Sequence, residues 1–145
     1  MFQKILAPVD GSDTAWKALD TARILAERFG GELLVITVTV PYSSVSLLQI
    51  AMDQNIIDRN NKELEKAGKV ILERAKERLE NFKGRVTYDQ EAGNPAETIL
   101  DTVVEEKCDA VVIGSRGLSG VEEFFLGSVS SKVSQYADVP VFIIK

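Results

Sequence analysis

The residues with the clearest capacity for chemistry in this 145-residue chain fall in one stretch. It runs Gly114, Ser115, Arg116 and Gly117, then nine residues, then Gly127, Ser128, Val129 and Ser130, a spacing of G-x2-G-x9-G-S. Such a stretch suits a phosphate group. Glycine tolerates positive φ and puts no side chain in the way, so main-chain N–H groups can converge on one anion. A helix opening at Ser128 would add free N–H donors and the positive end of its dipole, and the Ser128 and Ser130 hydroxyls would be further donors. Arg116 could offset the charge of a triphosphate, although an arginine in an exposed loop is more often solvated.

The stretch is not a Walker A loop, in which a lysine directly precedes the Ser or Thr; here Gly127 precedes Ser128. Nor is it a Rossmann fingerprint, since the spacing differs and it follows the fourth expected strand rather than the first. Glu122 and Glu123 read as a charged loop tip. A second candidate is Asp10, whose carboxylate suits the vicinal hydroxyls of a ribose or, more plainly, a helix cap. The chain has no histidine and no evident base beside the glycine stretch, which weighs against phosphoryl chemistry.

Elements that could position these groups are legible. Runs rich in β-branched residues at 4–9, 33–40, 85–91, 110–115 and 139–145 predict five strands. Ala15, Ala18, Leu19, Ala22, Leu25, Ala26 and Phe29 predict an amphipathic helix capped by Ser12 and stopped by Gly30 and Gly31. Leu64, Ala67, Ile71, Ala75, Leu79 and Phe82 predict a second, ending near Gly84. A third opens at Asn94, with Pro95 in its first turn and Glu97 placed to complete a capping box. The last begins at Ser128, with Val129, Val133, Tyr136 and Ala137 turned inward. Residues 42–58 suit a loop with a short helix, packed over the sheet edge or at a dimer contact rather than forming a lid.

Strict alternation of strand and helix predicts right-handed crossovers and an α/β fold, a mostly parallel sheet with helices on both faces in one domain, 1–145. Ligands of such sheets sit where the connections reverse direction, which directs attention to the loops at Asp10 and Gly114. A net charge of −5 and a pI near 4.8 argue against sequence-independent nucleic-acid binding. No run approaches the ~20 apolar residues of a membrane span, so no membrane partner is expected. Cys108 is the sole cysteine and reads as structural, Trp16 as packing or a half-exposed ring, and Lys132 as a weak phosphate candidate; a cytoplasmic location is expected.

The whole chain resembles the universal stress protein family, specifically its ATP-binding branch. The resemblance rests on ILAPVDGSDTAWKAL at the N-terminus, Gly93, Asn94 and Pro95 before the third helix, the G-x2-G-x9-G-S stretch and the terminal ADVPVFIIK. It implies an open five-stranded parallel sheet of order 3-2-1-4-5, Rossmann-like and of the adenine nucleotide alpha hydrolase-like kind, with homodimers formed along the last strand. It implies that Pro8, Val9 and Asp10 lie against the adenosine, with Asp10 on the ribose hydroxyls, and that the Val38 main chain reads the adenine edge. Ile113, Gly114, Ser115, Arg116, Gly117, Gly127, Ser128, Val129 and Ser130 would supply the remaining ribose and phosphate contacts. The implied ligand is ATP, accompanied by Mg2+, with AMP or ADP as alternatives. The implied role is a nucleotide-responsive regulatory or stress-response module with a protein partner of unknown identity. Two alternatives stand beside it: a slow ATPase or phosphotransferase, and a ligand-free dimeric interaction module that covers its apolar final strand by pairing. A response-regulator receiver is disfavoured, because the third strand leads to Glu91, Ala92 and Gly93 without an acceptor aspartate.

Overall fold

The computed structural model describes residues 1–41, 53–117 and 126–145. Its strands are β1 (Lys4–Pro8), β2 (Glu32–Thr39), β3 (Val86–Ala92), β4 (Ala110–Gly114) and β5 (Val141–Ile144). Its helices are α1 (Asp13–Phe29), α2 (Gln54–Arg78), α3 (Pro95–Glu105) and α4 (Ser128–Tyr136). The strands form one parallel sheet of order β3-β2-β1-β4-β5, as expected. The chain therefore builds outward from β1 to β3, then crosses back to lay β4 and β5 on the other side.

Both faces of the sheet are covered, which is why its central strands read as nearly continuous apolar runs. Ile5, Ala7, Leu33, Val35, Ala110 and Val112 pack with α1 and α2, whereas Leu6, Leu34, Ile36, Val111 and Ile113 pack with α3 and α4. Ser12 caps α1, accepting from Ala15 N–H at 3.3 Å, and Gly30 ends it in the left-handed region at φ 68°. Asn94 caps α3, but the Glu97 carboxylate reaches Lys132 of α4 at 3.2 Å rather than closing a capping box.

Several expectations are corrected. Residues 54–58 belong to the first turns of the 25-residue α2, capped by Asp53, and not to a separate short helix; 42–52 lie outside the described residues. The inner face of α2 carries Gly68 and Leu72 where Ala67 was expected, and Ala67 is exposed. Gly68 serves a close approach: a Cβ there would collide with the Gln90 side chain, whose Nε2 donates to Glu65 O at 3.0 Å. Tyr136 is 60% exposed instead of inward, and Phe29 is half-exposed but makes an edge contact with Phe2. Trp16 is buried, with the Arg74 and Arg78 guanidinium groups 5.5 and 5.2 Å from its ring centre. These cation–π contacts fasten α2 onto α1.

Candidate functional site

The crevice between β1 and β4 has a main-chain cause. Even-numbered residues of β1 turn their peptide groups toward β4, and Lys4 C=O accepts there from Asp109 N–H at 2.9 Å. Pairing stops at Leu6 with Val111. The next donor on that side would be residue 8, and Pro8 has no N–H to give. On the other side β1 keeps its partner up to Pro8 with Ile36, and Val9 N–H donates to Ile36 O at 2.8 Å. The two central strands therefore part where the sheet reverses direction, the position at which doubly wound folds take ligands.

A cavity of about 280 Å3 occupies the gap. Of the thirteen residues expected from sequence, all but Ser115 line it: Pro8, Val9 and Asp10 after β1; Val38 on β2; Ile113, Gly114, Arg116 and Gly117 around the end of β4; and Gly127, Ser128, Val129 and Ser130 at the start of α4. Sequence reasoning missed Ala15, Pro95 and Ile99, which complete the wall. Ala15 belonged to the expected inward stripe of α1 and Ile99 to that of α3, and Pro95 was read only as the helix start; which strand pair each helix overhangs is a tertiary fact.

The apolar part of the lining includes Pro8, Val38, Ile99 and Ile113. The odd residues of β2 face β3, as Leu33 N–H to Arg85 O and Thr39 O from Gly93 N–H establish, so Val38 turns its N–H and C=O toward the β1 side. β1 has left the sheet at that level, and the Val38 donor–acceptor pair faces the cavity. Beside the end of β4, where Gly127 N–H donates to Ser115 O, α4 begins. Its first-turn N–H groups have no helical acceptor, Gly127 makes no side-chain cap, and no acidic residue lies in that turn to neutralise the dipole.

Asp10 follows β1, the strand between β2 and β4, and also lines the cavity. Its Oδ1 accepts from Ser12 N–H at 2.9 Å and Ser12 Oγ–H at 2.5 Å, so the carboxylate braces the cap of α1 without being the cap itself. Its Oδ2 faces Gly117, where a Cβ would sit 3.1 Å away.

The glycines act otherwise than expected. None of Gly114, Gly117 and Gly127 has positive φ; among the described glycines that region is held by Gly11, Gly30 and Gly93. Their common property is a missing Cβ. One on Gly114 would lie 2.6 Å from Thr14 Oγ1 and 2.8 Å from Ala15 N, so this glycine admits the first turn of α1 against β4. The Ser130 hydroxyl is also committed elsewhere. It is buried and donates to Ser115 O at 2.9 Å, with Gly127 O at 3.1 Å, leaving Ser128 as the exposed hydroxyl of the turn. Ser115 is the clasp beneath the cavity: its N–H donates to Ile144 O at 2.7 Å and its carbonyl accepts from Gly127 N–H at 2.7 Å.

Arg116 lines the cavity, half-buried, and its carbonyl is fixed by Thr14 Oγ1–H at 2.6 Å. Lys132 is drawn away by Glu97. Glu122 and Glu123 lie outside the described residues. Cys108 is buried remote from this cavity, and burial pushes its thiol up to about 11, in keeping with a structural role. A larger hollow of about 400 Å3 lies between α2 and β3, beside Asn61, Leu64, Glu65, Gln90 and Glu91. It meets α2 along its side rather than at its N-terminus, and its ionisable groups are carboxylates, a poor setting for phosphate.

The profile of the universal stress protein family matches residues 1–145. Universal stress protein YxiE of Bacillus subtilis is 39% identical over 149 residues, covering 100% of both chains. The solved structure of MJ0577, a universal stress protein of Methanocaldococcus jannaschii, is similar with a TM-score of 0.84 at 26% identity, covering 100% of this chain and 96% of that one. A universal stress protein from Archaeoglobus fulgidus, solved in complex with dAMP, is similar at a TM-score of 0.72 and 23% identity over 100% of both chains, a likeness of fold.

Proposed function

The chain belongs to the universal stress protein family, and from that premise we propose that it binds ATP in the β1/β4 crevice and acts as a nucleotide-responsive regulatory module. The observation that carries this reading is the order of the lining across the sheet: Val38 on β2, then the Asp10 carboxylate after β1, then the uncapped N-terminus of α4 beside the end of β4. That order is the order of base, ribose and phosphate.

In this reading the purine slides between Pro8, Val38 and Ile99, and its edge exchanges hydrogen bonds with the Val38 main chain. Asp10 Oδ2 accepts from the ribose hydroxyls while Oδ1 stays on Ser12. The phosphates take the N–H groups of Ser128, Val129 and Ser130 and the Ser128 hydroxyl. Gly117 keeps open the space beside Asp10. Among the described residues no cluster of three or more His, Cys, Asp or Glu side chains is placed to hold a metal. Mg2+ would therefore ride mainly on the phosphates and water, its usual habit. AMP and ADP share every contact except those of the outer phosphates.

Residues 1–145 are proposed to form one domain that pairs with a second copy through β5, an edge strand whose four residues are all only half-buried. The cytoplasm is its proposed location; among the described residues no helix is long and apolar enough to cross a membrane.

The test is direct. Nucleotide released on denaturing the purified protein is identified by chromatography, and ATP, ADP, AMP and GTP are then titrated calorimetrically with and without Mg2+. Adenine-selective binding is expected, and no heat from any nucleotide at high micromolar concentration would sink the proposal.

A further inference from the structure

We propose that Arg116 counts phosphates, making the crevice selective for adenosine triphosphate over the monophosphate. This rests on the nucleotide reading above and adds to it the residue that sets ligand charge.

The geometry begins with the main chain. The Arg116 carbonyl is held by Thr14 Oγ1–H at 2.6 Å, so the loop is fastened to the start of α1. Its Cα lies 3.5 Å from where a Gly127 Cβ would stand. The Arg116 backbone therefore stands beside the N-cap of α4, within one side-chain length of its first turn.

Charge gives this placement its consequence. A helix N-terminus carries about half a positive charge and a few N–H donors, enough to receive one phosphate group. Each further phosphate adds negative charge, in a chain whose own net charge is −5. Among the described residues Arg116 is the only cationic residue lining the cavity, and no carboxylate pairs with it. Lys132, the nearest rival by sequence, is held by Glu97. A guanidinium presents a planar fork of donors matched to phosphate oxygens. The monophosphate is satisfied by α4 alone, and the outer phosphates require Arg116.

The experiment is calorimetric titration of ATP, ADP and AMP into the full chain, its Arg116→Gln variant and its Arg116→Lys variant, at low and moderate salt. Arg116→Gln is expected to weaken ATP about 10- to 100-fold while AMP changes no more than about twofold, and to flatten the salt dependence of ATP binding. Arg116→Lys should recover part of the ATP affinity. Equal weakening of AMP and ATP would mark Arg116 as a loop-positioning residue and overturn the inference, as would unchanged ATP affinity. If the unmodified protein binds ATP and AMP equally, phosphate counting fails while the nucleotide reading stands. If it binds neither, the nucleotide reading itself fails and this inference with it.

Discussion

The Ser130 hydroxyl donates to the Ser115 carbonyl across 2.9 Å, joining the first turn of α4 to the end of β4 beneath the crevice. Because Ser130 is almost wholly buried, its loss leaves no water to replace it. Ser130→Ala is expected to lower stability by about 1 kcal/mol in urea denaturation. It should also weaken ATP by a comparable factor, since the donors of the turn lose their anchor. Full ATP affinity in the variant would show that Gly127 N–H to Ser115 O suffices to hold the turn.

Gly114 and Gly117 look alike in sequence and should behave differently. A Cβ at Gly114 meets the α1 main chain at 2.8 Å, where nothing can yield, so Gly114→Ala should destabilise by about 3 kcal/mol or more. At Gly117 the obstacle is Asp10 Oδ2 at 3.1 Å, a group able to shift slightly. Gly117→Ala should keep most of the stability and lose nucleotide affinity. Thermal melts and titrations of the two variants check this, and a reversal of their order would refute it.

Ser128→Glu separates folding from binding by sign. A carboxylate in the first turn of α4 complements the helix dipole and should stabilise by about 0.3–1 kcal/mol. The same charge repels a phosphate from the same N–H groups, so ATP binding should vanish. A variant that melts higher yet binds ATP normally would place the phosphates elsewhere.

Glu91 supplies a pH-dependent prediction. Partial burial, then Asp89 and Glu105, raise its carboxyl above the ordinary range. The folded state thus favours the protonated form, and a penalty enters as pH rises through the folded value. Glu91→Gln should melt higher than the unmodified protein at pH 7 and no higher below about pH 4. Melting temperatures at both pH values decide it; a gain that persists in acid would point to packing instead.

Cys108 should resist alkylation. With its thiol pushed up to about 11 by burial, it is thiolate in only about one molecule in a thousand at pH 8. Native protein should label with iodoacetamide far more slowly than denatured protein, and rapid labelling of the native form would show that the site opens.

The order of elements, their parallel arrangement and twelve of the crevice residues could be read from the chain alone. The elements depend on local rules, since apolar runs buried on both faces make parallel strands and Ser12 and Asn94 cap helices, whereas Pro8, Val9, Val38 and Ile113 were legible only through the resemblance to the family. The face of α2 was harder to read, because Gly68 looks like a weak helix residue until Gln90 is seen filling the space above it. Tyr136 follows the helical period yet points outward, since α4 leads to the edge strand β5, where none of the described residues covers it. Only the tertiary structure decided what each glycine and serine is for. Gly114 makes room for α1, Gly117 for Asp10, and Ser130 donates its hydroxyl hydrogen bond to the Ser115 carbonyl. Each role depends on a contact between segments far apart in sequence, and spacing along one chain cannot report such a distance.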